Sequence, residues 1–205
     1  MSHYTVAVFS KTQPRYEKDE IDELLYPFME YDGEADYPKK FLEFVEDEDA
    51  DIDPETKKHG YWQNPNAKWD WWVVGGRWRN KLIDMGGKPC NWALVSDIDF
   101  PKMEKRARIN LEPYDSCAER HFYKAEYFKK LYPTEESYIR SKTVFSTYAV
   151  ITPDGVWHAP ETMGWWCMDD IEPEDKARFR DEYAERFIKP AIENGWYMTI
   201  VDCHI

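Results

Sequence analysis

Cysteines are few in this sequence, and their spacing forms no recognisable pair. Cys90, Cys117, Cys167 and Cys203 lie far apart, and none of them belongs to a C-x-x-C motif. This spacing excludes a zinc knuckle and a redox-active pair. We therefore expect free thiols in a reducing cytoplasm, with no disulfide, no structural metal and no cofactor.

Membrane and common catalytic motifs are missing as well. No apolar run approaches the roughly 20 residues that span a bilayer, and residues 1–4 lead into a strand pattern without a basic and apolar leader. The sequence also lacks the serine nucleophile elbow, the G-x-x-x-x-G-K phosphate loop and the H-E-x-x-H zinc motif. These absences favour a cytoplasmic protein with no membrane partner and exclude the enzyme classes that those motifs mark.

Basic residues are in the minority. The chain has 27 lysines and arginines against 40 acidic residues, which gives a net charge of −13. Such a surface repels nucleic-acid phosphates and anionic lipids, so nonspecific nucleic-acid binding is not expected. Two interpretations of the charge remain open. It keeps the protein in solution, or it imitates DNA and occupies a host protein that binds DNA.

Strand and helix patterns alternate along the 205 residues, a length that favours one domain spanning residues 1–205. Residues 4–9 and 196–204 are rich in strand formers, and residues 173–194 have a helical period that ends at Gly195. The turn residues at 152–155 predict a hairpin. We predict further strands at 69–74, 92–98 and 143–151, and further helices at 15–31, 38–45 and 116–131.

These elements predict an α+β fold, with a mostly antiparallel sheet and helices packed on one face. The hairpin supplies one antiparallel pair directly. The repeated order of strand, helix and strand suggests a ferredoxin-like sandwich with insertions.

Aromatic residues are abundant, with 10 Trp, 14 Tyr and 10 Phe, and five of the tryptophans lie within residues 62–78. In the predicted strand 69–74, side chains alternate between two faces. Trp69, Trp71 and Val73 are expected to face the core, and residues 70, 72 and 74 the other way. The pair Gly75-Gly76 allows a sharp turn or a close approach to a ligand.

This aromatic and charged segment predicts a site for a flat ligand with an anionic part. The indoles of Trp69 or Trp72, together with Trp78 and Trp165, are expected to stack on a planar ring. Lys68 and Arg77 would contact a phosphate or carboxylate, and Asp70 would accept a hydrogen bond from an amino or hydroxyl group. The alternative is a tight hairpin in which Asp70 and Arg77 pair with each other.

Several short motifs are distinctive: N-P-N-A-K-W-D-W-W at 64–72, G-G-R-W at 75–78, T-P-D-G-x-W-H at 152–158, M-G-W-W at 163–166 and D-C-H at 202–204. Together they resemble an uncharacterised family of phage and bacterial proteins. The resemblance implies no particular activity. A phage setting implies a protein of the host cytoplasm that interferes with host defence.

His158, Asp202 and His204 form a second candidate site. In the last predicted strand, Asp202 and His204 share a face with Met198 and Ile200, and His158 lies on the predicted hairpin. Two imidazoles and a carboxylate act as acid and base near neutral pH or bind a divalent metal. The alternative is a set of polar residues at a sheet edge with no chemical role.

Three functional hypotheses follow from these residues. The first is a protein that binds and sequesters a small anionic, nucleotide-like signalling molecule. The second is a hydrolase or phosphodiesterase of such a nucleotide that uses His158, Asp202 and His204. The third is an acidic inhibitor or DNA mimic that binds a host protein, with an affinity that falls as salt screens its exposed charges.

Overall fold

A mixed β-sheet lies at the centre of the computed structural model, which describes residues 3–14, 20–33, 37–120, 125–160 and 172–205. The strands of this described part are β1 (His3–Ser10), β2 (Glu43–Glu46), β3 (Gly60–Gln63), β4 (Trp71–Val74), β5 (Leu82–Ile83), β6 (Pro89–Cys90), β7 (Trp92–Leu94), β8 (Ala149–Ile151), β9 (Trp157–His158) and β10 (Tyr197–His204).

The helices are short to medium in length. They are α1 (Glu20–Leu25), α2 (Phe100–Ile109), α3 (Tyr114–Arg120), α4 (Ala125–Leu131), α5 (Glu135–Thr143), α6 (Pro173–Tyr183) and α7 (Lys189–Asn194), with a π-helical turn at Ala184–Ile188 that joins α6 to α7. None of the helices within the described ranges is long and apolar enough to cross a membrane.

The main sheet has the order β4–β10–β1–β8–β9, and β7 also pairs with β10. All neighbours are antiparallel except β1 and β8, which pair in parallel from Val6↔Ala149 to Val8↔Ile151. The predicted α+β fold with a mostly antiparallel sheet is therefore confirmed. A ferredoxin-like sheet separates its first two parallel strands by another strand. The direct β1–β8 pair departs from that topology.

Both faces of the sheet are buried, because β1 and β10 are apolar on both sides of their alternation. On one face Ala7, Phe9, Met198 and Ile200 pack against α6, the π-turn, α7 and Met103 of α2. On the other face Val6, Val8, Val201 and Cys203 pack against α1 and Trp69. Helices α2, α6 and α7 thus share one face, the short α1 covers the opposite one, and α3, α4 and α5 pack together in a separate cluster.

The longest predicted elements at the two ends of the chain are confirmed. Residues 4–9 lie within β1, and residues 196–204 contain β10, which is an internal strand of the sheet. The helical period at 173–194 forms α6, the π-turn and α7, and Gly195 ends it in the left-handed conformation with φ of 66°. The predicted hairpin forms with Gly155 at φ of 79°.

Three predicted elements in the middle of the chain are wrong at least in part, and the first is the strand at 92–98, which ends at Leu94 and is followed by a 3-10 turn at Val95–Asp97. Residues 143–151 are not one strand, because α5 extends to Thr143 and leaves only Ala149–Ile151 for β8. A capping box between Thr134 and Ser137 begins that helix, and this local signal outweighs the β-branched residues at its end. Residues 38–45 form a 3-10 turn followed by β2 rather than a helix.

Candidate functional site

The face of the sheet that packs on α6 and α7 becomes polar at one end. Along β1 the side chains on this face change from Phe9 and Ala7 to Thr5 and His3, and along β10 they change from Met198 and Ile200 to Asp202 and His204. Thr5, Asp202 and His204 are all buried. A buried polar group is costly unless it has a hydrogen-bond partner, so the partners of these side chains define the site.

His3 and Asp202 form the first of two histidine–aspartate pairs. The Nδ1 atom of His3 lies 2.9 Å from Oδ1 of Asp202, whose side chain is only 2% exposed. The other carboxylate oxygen of Asp202 accepts a hydrogen bond of 2.8 Å from the backbone N–H of Arg77. This buried carboxylate therefore has a donor for each of its oxygens.

His204 and Asp70 form the second pair. The Nδ1 atom of His204 lies 2.7 and 3.0 Å from the two oxygens of Asp70, whose carboxylate also accepts from the backbone N–H of Trp71. The ring of Trp71 stacks on His204 with a centroid distance of 5.0 Å and an angle of 16°. The rings of His3 and His204 are 4.9 Å apart.

The two pairs share one chemical arrangement. Each imidazole has its Nδ1 against a carboxylate, which favours the tautomer with a proton on Nδ1 and a lone pair on Nε2. Neither Nε2 atom has a hydrogen-bond partner among the residues that the structure describes. An aspartate that orients an imidazole in this way prepares Nε2 to take or give a proton.

Gly75 and Gly76 explain how the loop after β4 reaches Asp202. They have φ angles of 79° and 47°, which favour glycine. A Cβ atom on Gly76 would lie 2.2 Å from Oδ2 of Asp202, and one on Gly75 would lie 2.8 Å from Asn91. The close approach that the glycine pair predicts is therefore made to the protein's own side chains.

The site joins the two constellations that the sequence suggested separately. Asp70 from the aromatic segment holds His204, and the backbone of Arg77 holds Asp202. The alternative in which Asp70 and Arg77 pair with each other is therefore wrong. The side chain of Arg77 is exposed and has no hydrogen-bond or ion-pair partner within the described residues.

The tryptophans of this segment follow the expected directions only in part. Trp69 precedes β4 and is 1% exposed in the core against Phe28 and Trp157, so its ring has no free surface to stack on a ligand. Trp71 and Val73, which were expected in the core, are each 42% exposed.

The remaining predicted ligand residues are divided between the two faces. Trp72 packs on the opposite face from His204, and Trp78 is partly buried against the core on the α6–α7 face. The backbone of Lys68 bonds to Phe28 and to the hydroxyl of Tyr4, which belong to the opposite face. Trp165 lies outside the described residues.

His158 is not part of this site, so the predicted cluster with Asp202 and His204 is wrong. Strands β1 and β8 lie between β9 and β10, and three strand spacings amount to about 14 Å. The ring of His158 packs on Phe187, and its Nε2 bonds to Thr152. Burial, followed by the nearby charge of Arg186, lowers the pKa of His158, and Asp154 partly opposes this shift.

A basic cavity adjoins the site on the same face. It has a volume of about 710 Å³ and includes Thr5, which is the cross-strand partner of Asp202 and lies two residues from His3. Its charged lining consists of Lys130, Lys142, Lys176, Arg180 and Glu174. Four basic groups and one acidic group line the cavity, and two of the basic groups pair with acids beside it, Lys130 with Glu172 and Arg180 with Asp181.

No metal-binding group of three or more His, Cys, Asp or Glu side chains occurs in the described ranges. Comparison of the chain with protein-family models, curated proteins and solved structures found no match. The resemblance to phage and bacterial proteins therefore stays a prediction.

His3 is the residue that the sequence interpretation missed. It begins β1, and its partner Asp202 is 199 positions away. The available signal was the alternation in β1, which places His3 and Thr5 on one face. That signal becomes informative only once β1 and β10 are known to be antiparallel neighbours in this register.

Proposed function

We propose that this chain hydrolyses a phosphodiester in a nucleotide-like substrate, with His3 and His204 as general base and general acid. The observation that carries the proposal is the pair of adjacent imidazoles, each held at Nδ1 by an aspartate with Nε2 unpartnered. General acid–base catalysis needs two such groups near one reacting centre. Asp202 and Asp70 are positioning residues in this scheme.

The reaction balances with these groups and one water molecule. One imidazole accepts a proton from water at Nε2 while the water oxygen forms a bond to phosphorus. The bond from phosphorus to the leaving oxygen breaks, and the other ring, as imidazolium, donates a proton to that oxygen. Proton exchange with solvent returns both rings to their starting states.

Charge and ring contacts support a phosphate-bearing substrate. Arg77, whose backbone N–H binds Asp202, has an exposed side chain, and guanidinium groups bind phosphate in a bidentate manner. The basic cavity next to Thr5 provides further positive charge for the anionic part of the substrate. Trp71, which is 42% exposed, offers an indole surface on which a base can stack.

Sequestration without turnover is a second candidate function, and the basic cavity favours it. Such a cavity binds an anionic nucleotide whether or not the histidines act on it. In a phage setting, either sequestration or hydrolysis of a signalling nucleotide would interfere with host defence. The net charge of −13 keeps the acidic inhibitor or DNA mimic as a third hypothesis.

The test is turnover by the full chain. Bis(p-nitrophenyl) phosphate and a panel of cyclic and linear dinucleotides are incubated with the protein, and the products are separated by liquid chromatography and mass spectrometry. His3→Gln and His204→Gln should each lower turnover about 10²–10⁴-fold. His59→Gln is the matched control, because His59 is exposed on the β2–β3 hairpin and its ring bonds to the backbone carbonyl of Ala50. Recovery of a bound nucleotide intact would support sequestration and reject hydrolysis.

A further inference from the structure

A second cavity lies on the opposite face of the sheet from the histidine pairs. It has a volume of about 730 Å³, which is within the range of small-molecule sites. It lies where β4 and β7 both pair with the outer side of β10, and residues Ile21 and Asp22 of α1 line it on the far side. This position separates it from the proposed active site.

Two tryptophans line this cavity from neighbouring strands. Trp72 of β4 lies opposite Cys203, and Trp92 of β7 lies opposite Thr199, so both are on the same face of the sheet. Both indoles are partly exposed, and Trp92 also contacts the ring of Tyr197 at 6.2 Å. Indole surfaces of this kind bind flat rings by stacking and organic cations by cation–π attraction.

Thr199 supplies a buried hydroxyl group to this cavity. Its side chain is fully buried and lines the cavity, and its Oγ1 atom has no hydrogen-bond partner in the described part of the chain. Its neighbours in the ladder are Val8 and Trp92. A buried hydroxyl without a partner costs stability, and a ligand that hydrogen-bonds to it would remove that cost.

The charges at the cavity oppose an anionic ligand. Its lining includes three carboxylates, from Asp22, Asp84 and Asp97, and one ammonium group, from Lys88. This balance is the reverse of that in the basic cavity on the other face. It favours a ligand that donates hydrogen bonds or carries positive charge.

We infer that this cavity binds an amino-substituted planar heterocycle, neutral or cationic and without phosphate. The rings of Trp72 and Trp92 contact the heterocycle, Thr199 exchanges a hydrogen bond with it, and the carboxylates accept from its amino groups. This places the predicted stacking role of Trp72 at a site separate from the histidines. The inference does not depend on the proposed hydrolase activity.

The experiment titrates the full chain with proflavine as a cationic probe and adenine as a neutral one, by calorimetry and ligand-observed NMR. Trp92→Leu should weaken binding at least tenfold by removing the stacking surface, and Thr199→Val about fivefold to tenfold by removing the hydroxyl. Trp62→Leu is the control, because its indole lies on β3 and bonds to Asp53 away from the cavity.

Thermal unfolding separates loss of the site from loss of the fold. Thr199→Val should melt at or above the temperature of the wild type, because it replaces an unpaired buried hydroxyl by a methyl group of the same shape. Any of three results would overturn the inference. Neither probe binds, Trp92→Leu binds the probes as tightly as the wild type does, or adenosine monophosphate binds as tightly as adenine or more tightly.

Discussion

His3 lies directly opposite His204 across the antiparallel ladder of β1 and β10, and their rings are 4.9 Å apart. The first and last strands of the described chain thus bring two imidazoles together. Each ring then turns its Nδ1 to a different aspartate, one from β10 itself and one from the residue before β4. This arrangement is the structural basis of the acid–base proposal.

The carboxylate of Asp202 accepts from both His3 and the backbone of Arg77. We predict that Asp202→Asn lowers the rate constant kcat about 10²–10⁴-fold, because an amide has one acceptor oxygen and cannot satisfy both donors. Steady-state kinetics on bis(p-nitrophenyl) phosphate measures the change. Asp49→Asn, at an exposed loop position, should leave kcat unchanged. An unaltered kcat in Asp202→Asn would show that His3 does not depend on this carboxylate.

A comparison of Gly76 with Gly155 tests the close contact between Gly76 and Asp202. Both have positive φ, but a Cβ on Gly155 meets nothing within 4 Å, whereas one on Gly76 would overlap Asp202. Gly155→Ala should lower the free energy of unfolding by about 1 kcal/mol from backbone strain alone. Gly76→Ala should lower it by about 2–4 kcal/mol, because the steric overlap adds to that strain. Urea denaturation measures both, and equal losses would contradict the contact.

The sequence was sufficient for the elements whose signals are local. The strand at 4–9, the hairpin at 152–155 and the helix ending at Gly195 follow from propensity, turn residues and capping, which act over a few positions. The predicted strand at 143–151 is wrong because another local signal, the capping box at Thr134, begins α5, and this helix extends into the predicted strand.

The candidate site could be predicted only in part, because its geometry depends on long-range register. Asp70, Arg77, Asp202 and His204 were identified by residue type, but their contacts join segments more than 100 positions apart. Trp69 is buried as expected, but Trp71 is exposed, because β4 begins only at Trp71 and its outward face is left uncovered. Periodicity shows which residues share a face, and not which face is buried.

Because of Lys81, we predict that the stability of the protein changes with pH in the alkaline range. Burial lowers the pKa of its ammonium group from 10.5 to about 8. Between about pH 8 and 10.5 the unfolded chain therefore binds the additional proton, so the contribution of Lys81 to stability rises with pH. Lys81→Met should stabilise the protein at pH 7 by about 1–3 kcal/mol, and this gain should shrink above pH 8.

Urea denaturation of wild type and Lys81→Met at pH 7, 8 and 9.5 tests this expectation. The exposed Lys189→Met is the control for removal of a lysine, and it should change stability little at each pH. If the difference in the free energy of unfolding between wild type and Lys81→Met does not vary with pH, Lys81 does not carry a buried ammonium group that titrates in this range.

His158 should behave as a structural residue. Because burial lowers its pKa, the unfolded chain binds the proton more readily, and His158 costs stability as pH falls below its ordinary value of about 6.5. His158→Gln should therefore leave turnover unchanged and reduce the loss of stability between pH 7 and 5. Kinetics and urea denaturation at both pH values measure these effects. Loss of turnover in His158→Gln would show that His158 takes part in catalysis and would contradict this prediction.

The pH dependence of kcat/KM for bis(p-nitrophenyl) phosphate tests the acid–base pair most directly, compared among wild type, His3→Gln and His204→Gln. Two titrating groups in opposite protonation states give a bell-shaped profile, and removal of either group abolishes one limb. We predict a bell for the wild type, loss of one limb in His3→Gln and loss of the other in His204→Gln. Absence of turnover at every pH, or profiles in which both variants keep both limbs, would contradict the account.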